Sequence, residues 1–116
     1  MARATSGEVA GATTQRDFAE LVGVRFQARD QGSGRELELQ LVAVEQGPPA
    51  GPGYEQFSVI FRAEDDHDPA QGMCLLQAEG VATLMLTVVP IARDGDAVVY
   101  EAAFSRIADR VRRRGA

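Results

Sequence analysis

Apolar residues recur at every second position through several short segments of this chain. In one of them, Val24, Phe26 and Ala28 alternate with three polar side chains. The same period of two recurs in the segments 36–41, 57–62 and 98–104. A period of two is typical of β-strands that bury one face against a core. Because no helical pattern separates these segments, the chain is expected to form an antiparallel sheet rather than a doubly wound α/β fold.

The segment 36–44 changes its apolar parity partway along. Leu37, Leu39 and Leu41 occupy odd positions, whereas Val42 and Val44 occupy even ones. One extra residue in a strand turns the side chains that follow it toward the other face of the sheet. The pattern therefore predicts a β-bulge near Val42.

Residues 81–91 are apolar at both parities. We expect this strand to be covered on both faces or to close a barrel. Pro90 lacks the N–H group that a central strand needs, so it is predicted to end the strand. The Asp-Gly pair at residues 94–95 indicates a tight hairpin turn into a last strand.

One helix is predicted ahead of the strands. Thr14 and Asp17 have the spacing of a capping box, and Phe18, Leu21 and Val22 repeat at helical intervals. Such a pattern is typical of a short amphipathic helix. We expect about two turns.

Together these segments predict a mainly all-β domain, with about six antiparallel strands in a barrel or a sandwich. A short N-terminal helix precedes the strands, and a short C-terminal helix is an option at the other end. We expect a flexible leader over residues 1–13, the β domain over residues 14–104 and an Arg-rich tail over residues 105–116. A chain of 116 residues has room for one hydrophobic core.

Charge is divided unevenly between the body and the Arg-rich tail. The tail carries five Arg and one Asp, a net +4, so residues 1–104 must carry −9 to give the total of −5. An acidic body disfavours nucleic acid, whose phosphates require a basic face. For the tail, two alternatives stay open, a helix that begins at Ser105 or a solvated terminus.

As an interaction site, the tail would dock on the acidic body of a second copy or on an acidic protein partner, where opposite charges steer association. The candidate interaction residues are Arg106, Arg110, Arg112, Arg113 and Arg114.

Residues 64–68, EDDHD, place four carboxylates around the single histidine, His67. This segment lacks the ligand register of a calcium loop, and one imidazole is too few for a zinc site. We interpret it as a solvated turn between two strands. No catalytic residue, metal site or cofactor is predicted.

Other reactive residue types have plain structural interpretations. Cys74 lies in the apolar run MCLL and is predicted to be a buried hydrophobe rather than a nucleophile. Glu36 and Glu38 lie on the polar face of one strand, and Glu101 is expected on a polar face of another. All three are interpreted as solvated sheet residues.

The sequence contains no segment with the roughly 18 consecutive apolar residues that cross a bilayer. Its N-terminus also lacks the apolar core of a secretory signal. We therefore expect no membrane insertion and residence in the cytoplasm, with an extracellular assembly as the alternative.

Several motifs, in order along the chain, resemble a family of small bacterial β-rich domains of unknown function. The motifs are RDFAELVGVRF, LELQLVAV, FSVIFRA, PAQGMCLL, TLMLTVVPI and AVVYEAAFS, and the resemblance covers about residues 14–104. The matching residues are Asp17, Phe18, Leu21, Val22, Gly23, Phe26, Phe57, Ser58, Phe61, Arg62, Gln71, Gly72, Pro90, Tyr100, Glu101 and Phe104. Such domains are often associated with phage tail-collar-like fibre proteins, so the resemblance implies a structural accessory role and no active site.

These observations lead us to expect a non-enzymatic structural or interaction protein, a homo-oligomer or a subunit or accessory of a tail-fibre-like or filamentous assembly. One route to assembly is strand addition, in which an extended segment pairs with a neighbour's sheet. The alternative function is a small β-barrel that binds a small ligand in an apolar mouth. That mouth would use Phe26, Phe57, Phe61 and Tyr100.

Overall fold

The structure is a computed structural model that describes residues 15–47, 54–64 and 69–107. These residues form one short helix and six β-strands. In chain order they are α1 (Gln15–Ala19), β1 (Arg25–Asp30), β2 (Glu36–Gln46), β3 (Tyr54–Ala63), β4 (Gly72–Ala78), β5 (Val81–Asp94) and β6 (Ala97–Ile107). The predicted leader, residues 1–13, lies outside the described residues.

The six strands close into an antiparallel barrel in the order β1-β2-β3-β6-β5-β4. The ring closes where β1 pairs with β4, from Gln27 opposite Gln77 to Asp30 opposite Cys74. The prediction of a mainly all-β fold with a short N-terminal helix is confirmed. Of the two predicted architectures, the chain adopts the barrel.

A β-bulge interrupts strand β2 at the position that the apolar pattern predicted. The register with β3 shifts between Leu41 and Ala43, so Val42 has no partner of its own. Leu41 is fully buried, Val42 is 38% exposed, and Val44 packs against the core. Before the bulge the odd-numbered apolar residues face the core, and after it the even-numbered residue Val44 does.

Strand β5 does not end at Pro90, and that prediction was wrong. It continues to Asp94, and its register with β6 shifts between Pro90 and Ala92. Proline lacks a ladder donor, but a sheet tolerates it at a bulge, where pairing is already interrupted. The predicted Asp-Gly hairpin follows, with Gly95 at a φ of 64°.

Helix α1 is shorter than the two turns predicted. After Ala19 the helix gives way to a turn, in which the Leu21 N–H donates to the carbonyl of Phe18, three residues earlier, at 2.9 Å. Gly23, at a φ of 100°, then turns the chain so that its N–H reaches the Leu41 carbonyl at 2.7 Å. This turn leaves Val22 48% exposed, although the helical pattern placed it on the buried face.

A C-terminal helix does not begin at Ser105. Strand β6 pairs with β3 as far as Ile107 opposite Tyr54, so residues 105–107 are extended. Residues 108–116 lie outside the described part of the chain, and the two alternatives for them remain predictions. Within the described ranges, no helix has the length and the hydropathy needed to cross a membrane.

Aromatic and aliphatic side chains fill the barrel. Phe26, Phe57, Phe61 and Tyr100, which the alternative function placed in an open mouth, are each at most 2% exposed. Phe26 and Phe61 meet edge to face with their ring centroids 6.3 Å apart. All four side chains belong to one buried cluster, so they form part of the core rather than an open mouth.

Candidate interaction surfaces

The paired glutamates of β2 lie on the outer surface of the barrel beside β1. A carboxylate oxygen of Glu36 lies 2.5 Å from Nη2 of Arg29, and one of Glu38 lies 3.6 Å from Nη1 of Arg25. All four side chains are about half exposed. Water screens such ion pairs, so they contribute little stability. Their exposure confirms the predicted solvated sheet face.

Only the first residue of the acidic segment 64–68 is described. Glu64 accepts a hydrogen bond of 2.7 Å from Nε of Arg62, and Asp94 accepts one of 2.8 Å from Nη1. The hydrogen bonds that Arg62 donates to Asp94 and Glu64 raise the pKa of its guanidinium. His67 lies outside the described residues, so the interpretation of its segment as a solvated turn stays a prediction.

Polar groups meet at the barrel end where β1 leads into β2. A space of about 10 Å³, the size that one water needs, is lined there by Arg35, Cys74 and Tyr100 among others. Nε of Arg35 is buried and has no hydrogen-bond partner within the described ranges. Such a space can hold a water on the guanidinium, but it is too small for an organic substrate.

The thiol at this end is not set up as a nucleophile. Cys74 is buried, as predicted, with 4% exposure. Burial raises the pKa of the Cys74 thiol, and the negative charge of Asp30 raises it further. Burial likewise raises the pKa of Tyr100. Both groups stay protonated at neutral pH, and the described residues contain no group of three or more potential metal ligands.

One side of the barrel's outer surface is rich in apolar side chains. Leu75 of β4 pairs with Met85 of β5, and both lie between residues that face the core, so their side chains point outward. We call this side the outer apolar face. Its residues are Met73, Leu75, Met85, Val89, Val99 and Ile60.

Exposure differs across the outer apolar face. Met73 is 48% exposed, and Leu75, Met85, Val89 and Val99 are half-buried. Ile60 is 8% exposed although it lies outside the core cluster. The opposite side of the barrel, on β1 and β2, carries the Arg29–Glu36 and Arg25–Glu38 ion pairs. The outer surface is therefore amphipathic.

Strands β5 and β6 pair along only part of their lengths. Their register runs from Asp94 opposite Ala97 to Val89 opposite Glu101, and no pairing between the described parts of the two strands continues beyond it. β5 is paired with β4 from Val81 to Val88, and β6 is paired with β3 to its end. One edge of each strand is therefore left without a strand partner at this end of the barrel.

Helix α1 lies at this end of the barrel, between β6 and the start of β5. Phe18 of the helix is fully buried, with its ring centroid 5.2 Å from that of Phe104 and 6.0 Å from that of Phe57. On its other side the helix borders a groove of about 300 Å³. The groove is lined by Asp17, Glu20, Leu21, Gly80, Val81, Ala82 and Leu84. We call it the helix groove.

The helix groove combines an apolar floor with acidic side chains. Leu84 is 1% exposed, and Leu21 and Val81 pack against the core. Asp17 and Glu20 are exposed on the helix side. Such a surface fits a ligand that has long apolar stems and positive ends.

These features define a small β-barrel domain with a filled interior and an amphipathic outer surface. Residues 13–104 match the family described as "Domain of unknown function (DUF6916)", and the chain belongs to that family. No curated protein matches the chain. No solved structure matches it.

The sequence patterns did not indicate either surface. Met85 and Val89 lie in the apolar run 81–91, which predicted only that the strand is covered on both faces or closes a barrel. Asp17 was interpreted only as part of a helix cap. Of the predicted interaction residues, Arg106 lies in β6, whereas Arg110, Arg112, Arg113 and Arg114 lie outside the described residues.

Proposed function

We propose that this chain is a non-enzymatic structural domain that works as a self-associating subunit or accessory of a larger protein assembly. The observation that carries the proposal is the outer apolar face. Its side chains line up across strands that are already paired, so a partner covers them without any change in the barrel.

Several properties of this face support an association site. Large contiguous apolar patches on an otherwise polar surface mark sites of protein association. Methionine is enriched at such sites, and its flexible side chain adapts to the partner's shape. Each square ångström of apolar surface removed from water contributes about 25 cal/mol to association, before the entropic cost of binding is subtracted.

A second copy of this chain is the partner that we propose for the outer apolar face. Symmetric self-association through one shared patch is the commonest way in which small domains form oligomers. The resemblance to domains associated with tail-collar-like fibre proteins supports a role in a fibre-like or filamentous assembly. The filled interior supports a structural role over the binding of a small ligand within the barrel.

The test compares two exposed, outward-facing residues of one strand. Met73→Glu places a charge on the outer apolar face, whereas Gln77→Glu places the same charge on the polar side, where Gln77 pairs with Gln27. We expect light scattering to give a mass above the monomer for the unaltered chain. Met73→Glu should lower that mass, and Gln77→Glu should not.

Two results would contradict the proposal. The first is a monomeric mass for the unaltered chain at every concentration examined. The second is an equal effect of the two substitutions, which would mean that added charge, rather than its position on the outer apolar face, changes the association.

A further inference from the structure

The helix groove has a floor and a rim of different chemistry. Leu21, Val81 and Leu84 form an apolar floor, and the carboxylates of Asp17 and Glu20 lie on the helix side. A groove of this kind favours arginine, whose methylene stem covers apolar surface while its guanidinium meets a carboxylate.

The chain itself contains a segment with that chemistry. The Arg-rich tail has a net charge of +4, opposite to that of the body, which carries −9. Beyond the end of β6, the tail contains the apolar residues Ala108 and Val111 together with four arginines. Charge and apolar content therefore both match the helix groove.

The proposed self-association favours the tail of another copy as the occupant of the helix groove. At Ile107, β6 is still paired with β3, so the chain there is extended. Phe18 of helix α1 contacts Phe104 of β6. Other residues of the helix line the groove together with Val81 of β5. Strand β6 ends and β5 begins at the same end of the barrel, so the chain's own tail is the competing occupant that the experiment must distinguish.

We propose that the helix groove binds the Arg-rich tail of a second copy of this chain. This inference rests on the proposed function as an assembly subunit and names a second contact within that assembly. The contact joins two different surfaces, so it is heterologous, and repetition of it gives a ring or an open filament.

The test uses two full-length variants, each of which lacks one half of the contact. The groove variant carries Glu20→Arg and Ala82→Arg, at exposed positions that line the groove. The tail variant carries Arg110→Glu, Arg113→Glu and Arg114→Glu. Both also carry Met73→Glu, which removes association through the outer apolar face. Binding is measured by native mass spectrometry and by sedimentation.

Each variant alone should be monomeric, because each lacks a tail or a groove that can bind. A mixture of the two should form a heterodimer and nothing larger, since one functional tail and one functional groove remain. We expect a rise in salt concentration to weaken this heterodimer, because its ion pairs are exposed. A further Glu20→Gln change in the tail variant should weaken it by about tenfold or less, the range for exposed ion pairs.

A control makes a charge change of the same sign away from the groove. Glu45→Arg alters an exposed residue of β2, and a variant that carries it with Met73→Glu should keep tail–groove association. Loss of association in this control would overturn the inference, because net charge alone would then explain the effect.

Two further results would overturn the inference. One is a mixture that stays monomeric. The other is hydrogen exchange at residues 81–84 that is slowed by the chain's own tail in a monomer, which would mean that the tail binds within one chain. If the mixture stays monomeric while Met73→Glu still lowers the mass of the otherwise unaltered chain, the proposed function stands and only the tail contact is lost.

Discussion

The Ser58 hydroxyl donates a hydrogen bond of 2.6 Å to a carboxylate oxygen of Glu101 across the β3–β6 junction, which has the most residue pairs in the barrel. Ser58 lies opposite Ala103, and Glu101 lies opposite Ile60, so the bond crosses the pair diagonally. Both side chains are half-buried on the outer surface. Glu101 was expected on a polar sheet face, yet its directly paired neighbours are Ile60 and Val89.

Removal of this hydrogen bond should destabilise the barrel. Ser58→Ala leaves the Glu101 carboxylate next to apolar side chains without its donor, which should lower the free energy of unfolding by about 1.5 to 3 kcal/mol. Urea unfolding followed by circular dichroism measures the change. Ser105→Ala, at an exposed position on β6, should change it by less than about 0.5 kcal/mol. Equal effects of the two substitutions would contradict the prediction.

Phe18 should be a major contributor to stability although it lies in a five-residue helix. Its ring is fully buried against Phe57 and Phe104, and Phe18→Ala leaves a cavity at the end of the barrel. We expect a loss of about 3 to 5 kcal/mol in the free energy of unfolding, measured by chemical denaturation. Val22→Ala is the control at an exposed position. A small effect of Phe18→Ala would mean that the helix is not part of the cooperative fold.

The turn between β1 and β2 should make stability depend on pH in acid. The Asp30 carboxylate accepts hydrogen bonds of 3.0 Å from the Gly32 N–H and from the Ser33 hydroxyl, and these lower the pKa of Asp30 in the folded chain. A lowered folded pKa means that the carboxylate stabilises the fold at neutral pH. This stabilisation is lost as the pH falls below the ordinary range of aspartate and through the lowered pKa.

Thermal unfolding at a series of pH values tests this prediction. The melting temperature of Asp30→Asn should be below that of the unaltered chain at neutral pH, and the difference should shrink as the solution is acidified. Ser33→Ala removes one of the two donors, so it should reduce the acid-dependent part of the difference. Melting temperatures that stay a constant distance apart across the series would rule out the role of Asp30.

Cys74 should react slowly with thiol reagents in the folded chain. Its thiol is 4% exposed, and burial raises its pKa, so both access and the thiolate fraction are reduced. We expect a disulfide reagent to label Cys74 much faster in denaturant than in buffer, which absorbance measures directly. Labelling at the same rate in both conditions would mean that the barrel opens readily between β4 and its neighbours.

The sequence predicted those parts of the fold that depend on local patterns. The shift in parity at Val42 predicted the bulge because each apolar residue of a half-buried strand must face the core. The Asp-Gly pair predicted the last hairpin because its backbone preferences suit a tight turn. The predicted end at Pro90 failed because the tertiary structure places a bulge there. The predicted burial of Val22 failed because Gly23 turns the chain before a second helical turn forms.

The two candidate surfaces depend on contacts between segments that are distant in sequence. Met85 and Val99 lie on one face only because the barrel places β4, β5 and β6 side by side with a particular register. The helix groove requires that α1 stands where β5 and β6 separate. Periodicity along a single strand identifies which residues point outward, but it does not identify which outward residues become neighbours.

The closure of the ring has a consequence for how this chain folds. β1 and β4 meet through four residue pairs, and each pair joins positions 44 to 50 residues apart in sequence. Closing so long a loop costs conformational entropy, and only a few hydrogen bonds offset that cost. This junction should therefore form late on the folding pathway. The same junction should be the first to open in native fluctuations, and amide exchange at Gln27–Asp30 should be faster than along the ten-pair junction of β3 and β6.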